Sequence, residues 1–234
     1  MVKLEGLEAR GLLVSGGRVA GLETDRGPLV AGAVVNCAGG WIGLLDPAAG
    51  PVPVQPVRHQ LIITAPLACV ADGHASVRVV DANTYARPCW GGLMFGGYES
   101  QPVFLCGREL PRSVAALELD ERPIDELVAR VSETFPVLLE TPVRELRGGI
   151  PTLTADGHPI IGELPGVAGA YVVGGCNVGG LSTSPAVGQA LAEWIVSSRR
   201  PELLEPFSPD RFAGRPGSEL LSAARAKYTA TEYG

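Results

Sequence analysis

Apolar residues in the first forty positions fall in short runs that turn residues separate. Residues 11–14 and 18–24 flank Ser15-Gly16-Gly17, a combination typical of a β-hairpin. A later run, residues 34–40, ends in small residues and predicts a buried strand. This part of the chain therefore favours strands and tight turns over helices.

The middle of the chain has the pattern of a sheet followed by a helix. Residues 57–64 and 75–80 are strand-like, and residues 85–98 predict a hairpin that turns at Gly91-Gly92. Residues 124–135 place apolar side chains at helical spacing, which predicts an amphipathic helix.

Residues 154–194 contain a strand that runs through glycines into a helix. The strand covers residues 170–173, and Ser184 and Pro185 predict the helix start, because serine is a good N-cap and proline suits a first turn. Glycines let the backbone approach a ligand closely, and the first N–H groups of a helix point at an electron-rich group. This segment is therefore the best candidate for a ligand site.

The composition narrows the class of protein. Of 234 residues, 46% are hydrophobic and 19% charged, as in globular proteins. A net charge of -6 leaves no basic surface for nucleic acid, and no apolar run is long enough to cross a membrane. The five cysteines lack CxxC spacing, which indicates reduced thiols and predicts a cytoplasmic protein.

Several kinds of catalytic site are excluded by their missing patterns. The sequence has no P-loop, nucleophile elbow or Ser/His/Asp spacing. Its three histidines, His59, His74 and His158, are scattered, so we expect no metal site. No catalytic acid or base is assigned from the residues.

Three blocks, in order along the chain, resemble one family. They are residues 34–41 (VVNCAGGW), 85–99 (YARPCWGGLMFGGYE) and 154–194. Together they resemble the C-terminal part of FAD-dependent amine oxidoreductases of the D-amino-acid oxidase superfamily, nearest to the sarcosine and dimethylglycine dehydrogenase branch. The resemblance covers nearly the whole chain and implies oxidation of a secondary or tertiary amino acid by hydride transfer to the flavin.

The resemblance also implies an α/β (α+β) fold in which a partial FAD-binding domain flanks a substrate domain. Residues 1–45 would supply C-terminal strands of the FAD-binding domain, and residues 148–200 its return segment. Residues 46–147 would form the substrate domain on a mixed or antiparallel sheet, and residues 201–234 a C-terminal extension.

The cofactor implied is FAD, and its ring would be held largely by backbone groups. Backbone N–H groups of the glycine-rich loop would stabilise negative charge at the flavin N1/O2 side. A glycine-rich turn that only closes packing is the alternative. The residues implied in cofactor binding are Ala38, Gly39, Trp41, Gly149, Ile150, Gly175, Asn177, Gly179, Gly180, Leu181 and Ser182. Some members bind the flavin covalently through a cysteine where this chain has Gly149, so we expect non-covalent binding.

Tyr85 and Arg87 are the candidates for substrate binding. They alternate on a predicted strand, so both side chains face the same way. An arginine holds a carboxylate through two parallel hydrogen bonds, and the pair would anchor the carboxylate of a small amino acid. An exposed arginine on a sheet is the alternative.

The family's dinucleotide fingerprint, G-x-G-x-x-G, is absent from this sequence. We therefore expect the chain to supply the substrate domain and the flavin-ring half of a site whose phosphate half lies elsewhere. The second hypothesis is a truncated or split non-catalytic subunit, or a regulatory relative, that needs an N-terminal partner chain.

Overall fold

The computed structural model describes residues 2–45 and 52–230 and has a mixed α/β fold, which confirms the predicted fold class. The strands, in chain order, are β1 (Ala9–Ser15), β2 (Arg18–Thr24), β3 (Gly27–Val30), β4 (Val34–Asn36), β5 (Gln55–Pro56), β6 (His59–Thr64), β7 (Val77–Val79), β8 (Thr84–Cys89), β9 (Gly92–Gly97), β10 (Val143–Gly149), β11 (Thr152–Leu153), β12 (Ile160–Glu163) and β13 (Ala170–Gly174). The helices are α1 (Arg122–Arg130), α2 (Gly180–Ser197) and α3 (Gly217–Ala230). Within the described ranges, no helix is long and apolar enough to span a bilayer.

The chain divides into two compact units. Unit 1 comprises Met1–Pro56 and Pro151–Lys227, and unit 2 comprises Val57–Ile150 and Tyr228–Gly234. The four domain segments drawn from the sequence, with boundaries after residues 45, 147 and 200, stay a prediction. Parts of those segments, namely residues 1, 46–51 and 231–234, lie outside the described residues.

Unit 1 is built from three small sheets. The predicted hairpin is confirmed as β1 and β2, which pair antiparallel with Ser15 opposite Arg18, and β3 extends their sheet. A second sheet has the order β12-β13-β4, in which β13 is antiparallel to β12 and parallel to β4. The pair β11-β5 forms the third. Side chains from these sheets and from the C-terminal segment share a core that includes Val19, Ile160, Val172 and Phe212.

The position of the α2 N-terminus corrects the sequence-based prediction. The helix begins at Gly180, so the predicted N-cap Ser184 lies inside it, as does Pro185. Proline has no N–H to donate to the carbonyl of Leu181, four residues back. The Ser184 hydroxyl donates to that carbonyl instead, at 3.0 Å, so the helix continues through the proline.

Unit 2 is organised around a five-stranded antiparallel sheet of order β10-β6-β9-β8-β7. The predicted hairpin over 85–98 is present as β8 and β9, but its turn lies at Trp90-Gly91, one residue before the predicted place. Both turn residues have positive φ, 53° and 77°, as a two-residue hairpin turn requires. Gly92 belongs to the strand, since it pairs with Cys89. A side chain is excluded there because a Cβ would lie 2.5 Å from the carbonyl oxygen of Ala65.

Helix α1 covers one face of this sheet. Ile124 and Leu127 pack with Ile62 and Phe95 in the core of the unit. The helix ends at Arg130 rather than at residue 135 as predicted, because the next residue leaves the helical region with φ -113° and ψ 12°.

Replacing Leu127 tests how much this packing stabilises unit 2. Its side chain is fully buried, so Leu127→Ala should lower the free energy of unfolding by about 2–5 kcal/mol. Leu139→Ala is the matched control, since Leu139 is 61% exposed and should change it by less than about 0.5 kcal/mol. Urea denaturation measures both, and equal midpoints would contradict this packing.

Candidate functional site

The glycine-rich loop between β13 and α2 is held in place by residues of β11 and the turn after it. Asn177 accepts a hydrogen bond from the backbone N–H of Thr154 and donates one to its hydroxyl, both at 3.1 Å. The backbone N–H of Gly175 donates to the Thr152 hydroxyl at 3.2 Å. Gly175 also has φ 61°, and a Cβ there would lie 2.3 Å from a Thr154 methyl group, so a glycine is required.

Three predicted cofactor residues, Gly180, Leu181 and Ser182, form the first turn of α2. Their backbone N–H groups precede the helical bonding pattern, so the positive end of the helix dipole lies here. Gly179 is the N-cap, no side chain caps the helix, and its first turn contains no acidic residue. Leu181 is 92% exposed. This end of α2 therefore has the properties of a site for an electron-rich group.

The parallel pairing of β13 and β4 places another group of predicted residues at the same sheet edge. Val172 is paired with Asn36, so both strands end towards the same side. The Asn36 side chain accepts from the backbone N–H of Ala38 at 3.1 Å and donates to the Ile42 carbonyl at 2.9 Å. These bonds shape the 3₁₀ turn Gly39–Leu44, which contains Gly39 and Trp41.

Contact between this turn and the end of β13 brings the two groups together. A Cβ at Gly174 would lie 2.4 Å from the Cδ1 of Ile42, so the Ile42 side chain packs directly against the backbone of Gly174. Ala38, Gly39 and Trp41 therefore lie at the same edge of unit 1 as Gly175 and the residues that follow it.

Gly149 and Ile150 belong to unit 2, unlike the other predicted cofactor residues. Gly149 ends β10 and pairs with His59 on β6. A Cβ at Gly149 would meet no atom within 4 Å. Neither packing nor a positive φ therefore requires a glycine at this position.

Tyr85 and Arg87 lie on the sheet face opposite α1. Ala86, between them, is in the core with α1, so the strand alternation directs its two neighbours to the other face. Tyr85 pairs with Gly96, and a Cβ at Gly96 would lie 2.7 Å from the Tyr85 hydroxyl. The Tyr85 ring thus lies over a position without a side chain. The exposed Arg87 guanidinium donates to the carbonyl of its neighbour Pro88 at 3.2 Å.

His59 is a candidate functional residue that the sequence analysis missed. Its Nε2 lies 2.8 Å from the Tyr85 hydroxyl, and its Nδ1 lies 3.2 Å from the Tyr228 hydroxyl. The ring of Tyr98 is 5.6 Å away. Burial lowers the pKa of His59 to about 4, so the imidazole is neutral at pH 7. The local sequence signal was only the alternation of His59 with Leu61 on a strand, which does not reveal partners 26 and 169 residues away.

A buried ion pair lies beside this cluster. The Glu99 carboxylate accepts from the Arg58 guanidinium at 3.3 Å and from the Gln60 side-chain amide at 3.1 Å. The side-chain oxygen of Gln60, Oε1, in turn accepts from the backbone N–H of Asp120 at 2.6 Å. Glu99 is 4% exposed, so removing either partner would leave a buried charge uncompensated.

Among the described residues, no group of three or more His, Cys, Asp and Glu side chains is arranged to hold a metal ion. The site candidates are thus backbone N–H groups, a tyrosine, an arginine and a neutral histidine.

The low pKa of His59 predicts how stability depends on pH. In the unfolded chain His59 has a pKa near 6.5, whereas in the folded chain its pKa is about 4. Between these pH values the unfolded chain therefore binds a proton at His59 and the folded chain does not. Stability is therefore lost as pH falls through this window, by about 2 kcal/mol from His59 alone between about pH 7 and about pH 5. His59→Gln should remove that part of the pH dependence in urea denaturation, and the exposed His74→Gln should keep it. The same pH dependence in wild type and His59→Gln would refute the assignment.

Comparison with known proteins shows which family the chain belongs to. The family described as FAD dependent oxidoreductase matches residues 3–194. The chain is 30% identical to human mitochondrial sarcosine dehydrogenase over 196 residues, which is 83% of this chain and 21% of that protein. It is also 30% identical over 216 residues to the mouse mitochondrial pyruvate dehydrogenase phosphatase regulatory subunit, covering 90% of this chain and 24% of that protein.

Among solved structures, L-proline dehydrogenase from P. horikoshii has the same fold, with a TM-score of 0.75 and 24% identity. The match covers 89% of this chain and 54% of that one. The chain thus spans about a quarter of the curated relatives named here and about half of the solved structure. The resemblance found in the sequence blocks is confirmed. Over most of its length, the chain belongs to the FAD-dependent oxidoreductase family typified by D-amino-acid oxidase.

Proposed function

We propose that this chain serves the FAD-dependent oxidation of a small secondary or tertiary amino acid of the sarcosine or dimethylglycine kind. In that role it supplies the substrate domain and the residues that hold the flavin ring. The observation that carries the proposal is the uncapped N-terminus of α2 at Gly180, directly after a glycine-rich loop, in a chain whose family is FAD-dependent.

The fit to a flavin ring rests on the character of the donors. The first N–H groups of α2 have no capping side chain, and the hydroxyls of Ser182 and Thr183 donate back to the carbonyl of Gly179. Electron-rich carbonyl and nitrogen atoms of a flavin ring suit such backbone donors. Gly174, Gly175 and Gly39 keep side chains away from the same sheet edge. We propose that nine residues of unit 1 hold the ring, namely Ala38, Gly39, Trp41, Gly175, Asn177, Gly179, Gly180, Leu181 and Ser182. For Gly149 and Ile150, in unit 2, the role in cofactor binding is a proposal that rests on the family resemblance.

Binding would be non-covalent through this chain. Gly149 has no side chain to form a bond, and Cys176, the cysteine of the glycine-rich loop, has a pKa that burial raises, so its thiol is a weak nucleophile. When bound, FAD supplies the acceptor for the hydride equivalent that leaves the carbon next to the amine nitrogen. The protein's part is to bind and orient the substrate and to keep the amine deprotonated.

Arg87 and Tyr85 would anchor the substrate carboxylate. Another arginine on this sheet face, Arg147, is already bound by Glu145 through two hydrogen bonds, which leaves Arg87 the better candidate. The Arg87 guanidinium is exposed and makes only a bond to its neighbour's carbonyl among the bonds described. Tyr85, held by the neutral His59, would add a second hydrogen bond without adding charge.

Ligand competition tests which half of FAD this chain holds. If the chain holds the ring, riboflavin should compete with FAD for the purified chain, whereas ADP should not, because ADP lacks the ring. Equilibrium dialysis with fluorescence detection measures both competitions. Competition by ADP and not by riboflavin would refute the ring assignment, and no binding of either flavin would contradict the proposal that this chain holds the ring.

A single glycine substitution sharpens that test. Gly149→Val should leave stability unchanged within about 0.5 kcal/mol, because no atom lies within 4 Å of the new Cβ. It should weaken riboflavin binding about tenfold or more, since the branched side chain fills the proposed approach to the ring. Gly32→Val is the control, because its Cβ would also meet no atom within 4 Å. Equal riboflavin affinities for the two variants would remove Gly149 from the site.

Substitution of Arg87 tests the carboxylate anchor. Loss of charge-assisted hydrogen bonds should raise the KM of the flavin-loaded chain for N-methylglycine about 10- to 100-fold in Arg87→Gln, with a smaller change in kcat. Arg112→Gln removes an equally exposed arginine outside this sheet and should leave KM unchanged. Direct calorimetric titration with N-methylglycine gives the same comparison without turnover. Equal values for the two variants would rule out the anchor.

A second candidate function follows from β4, the outer strand of the β12-β13-β4 sheet. Within the described residues, β4 pairs on one side only, with β13 in parallel, and Val35 on it is 37% exposed. Parallel strands are rarely stable at an uncovered edge. We infer that this edge binds a strand of a nucleotide-binding partner chain, so that the chain acts as a subunit. That it is 30% identical to a regulatory subunit is in keeping with this role.

The exposed side of β4 is tested with the separately expressed part of P. horikoshii L-proline dehydrogenase that this chain does not cover. Light scattering should detect a one-to-one complex that Val35→Lys abolishes. Val30→Lys, in the other sheet at a position 91% exposed, should leave the complex intact. Failure of wild type to bind, or equal binding by both variants, would contradict the subunit role.

A further inference from the structure

The hydroxyl of Tyr228, on the last turns of α3, is buried within unit 2. The residue is 2% exposed, and its ring packs against those of Tyr98 and Phe104 at 4.9 and 6.2 Å. Its hydroxyl lies 3.2 Å from Nδ1 of His59. No sequence pattern predicted a role for this tyrosine, which lies in the C-terminal segment.

The direction of the hydrogen bonds follows from counting donors. A backbone hydrogen bond from Glu99 acts to lower the pKa of Tyr228, as only a bond that stabilises the phenolate can, so the N–H of Glu99 donates to the Tyr228 hydroxyl oxygen. The single proton of that hydroxyl then needs an acceptor, and Nδ1 of His59 is within reach. A neutral imidazole that accepts at Nδ1 carries its proton on Nε2. Nε2 lies 2.8 Å from the Tyr85 hydroxyl, which must then accept.

We propose that Tyr228 is a positioning residue that fixes His59 as its Nε2–H tautomer and thereby makes Tyr85 a hydrogen-bond donor towards its next partner. The inference deepens the proposed function and rests on it in one respect, the assignment of Tyr85 to the substrate carboxylate. An acceptor such as a carboxylate requires a donor, and a Tyr85 hydroxyl that gave its proton to His59 would present only lone pairs.

The groups around His59 favour uncharged side chains along the series of hydrogen bonds from Tyr228 through His59 to Tyr85. The titratable groups that face His59 are the hydroxyls of Tyr85, Tyr98 and Tyr228. The charges of the Arg58–Glu99 ion pair act on Tyr228. Burial, and after it the charge of Glu99, raises the pKa of Tyr228, so its hydroxyl stays protonated and able to donate. The carboxylate of Glu99 is itself bound by Arg58 and Gln60, which holds the amide of Glu99 in place for Tyr228.

Histidine ¹⁵N NMR on the full chain, without flavin or amine, tests the inference directly. Selective labelling gives three histidines, and His74→Gln and His158→Gln identify the other two. Long-range ¹H–¹⁵N correlations report which ring nitrogen carries the proton. In wild type at neutral pH, His59 should show the Nε2–H pattern. In Tyr228→Phe, which keeps the ring, the ratio of Nε2–H to Nδ1–H tautomers should fall about fivefold, the worth of one hydrogen bond.

Tyr98→Phe is the matched control, since it removes a hydroxyl from a ring that also contacts His59 while both imidazole nitrogens keep their partners. It should leave the tautomer ratio unchanged. An Nδ1–H or charged His59 in wild type, an unchanged ratio in Tyr228→Phe, or an equal fall in Tyr98→Phe would each overturn the proposal. None of these readouts depends on flavin binding, so failure of the proposed function would be seen separately, in the ligand titrations.

Discussion

The parallel pairing of β13 with β4 is the constraint on which unit 1 depends. Because parallel strands end at the same edge, the pairing brings together the loop after Gly174 and the turn after Asn36. Gly174, at the end of β13, then permits contact with Ile42, and Gly175 permits contact with Thr154. An antiparallel pairing would have sent the two predicted cofactor segments to opposite ends of the sheet.

The loop at that edge is shaped by hydrogen bonds that leave the helix end exposed. The Asn177 side chain is bound to Thr154 and the backbone N–H of Gly175 to Thr152, so the Asn177 amide does not cap α2. The helix therefore begins at Gly180 with its first amides directed away from any capping side chain. A ligand would take the place that a cap takes in other helices.

In unit 2 the side chains alternate along each strand, so one face of the sheet packs against α1 and the other carries the candidate substrate-binding residues. The face that contains Ala86 and Phe95 packs against α1 and stabilises the unit. The opposite face carries Tyr85, Arg87 and the bare position at Gly96. Neutral His59 joins that face to Tyr228, and the buried Arg58–Glu99 pair fixes the backbone behind it. A buried carboxylate such as that of Glu99 is costly without its partners, which restricts the arrangement to few alternatives.

Local patterns sufficed for much of this protein, because strand alternation, helical spacing and turn residues act over a few positions. They predicted the β1-β2 hairpin, strands β6 to β9 of the larger sheet, α1 and the family, but not β10. They misplaced the start of α2, since Ser184 has the side chain of an N-cap but replaces the hydrogen bond that Pro185 lacks. They also missed His59, because its partners come from β8 and from the end of α3. The sequence by itself determined the elements and the chemistry available on them. Only the tertiary structure decided which helix end was left uncapped and which tyrosines bind the histidine, because both depend on contacts between residues far apart in the chain.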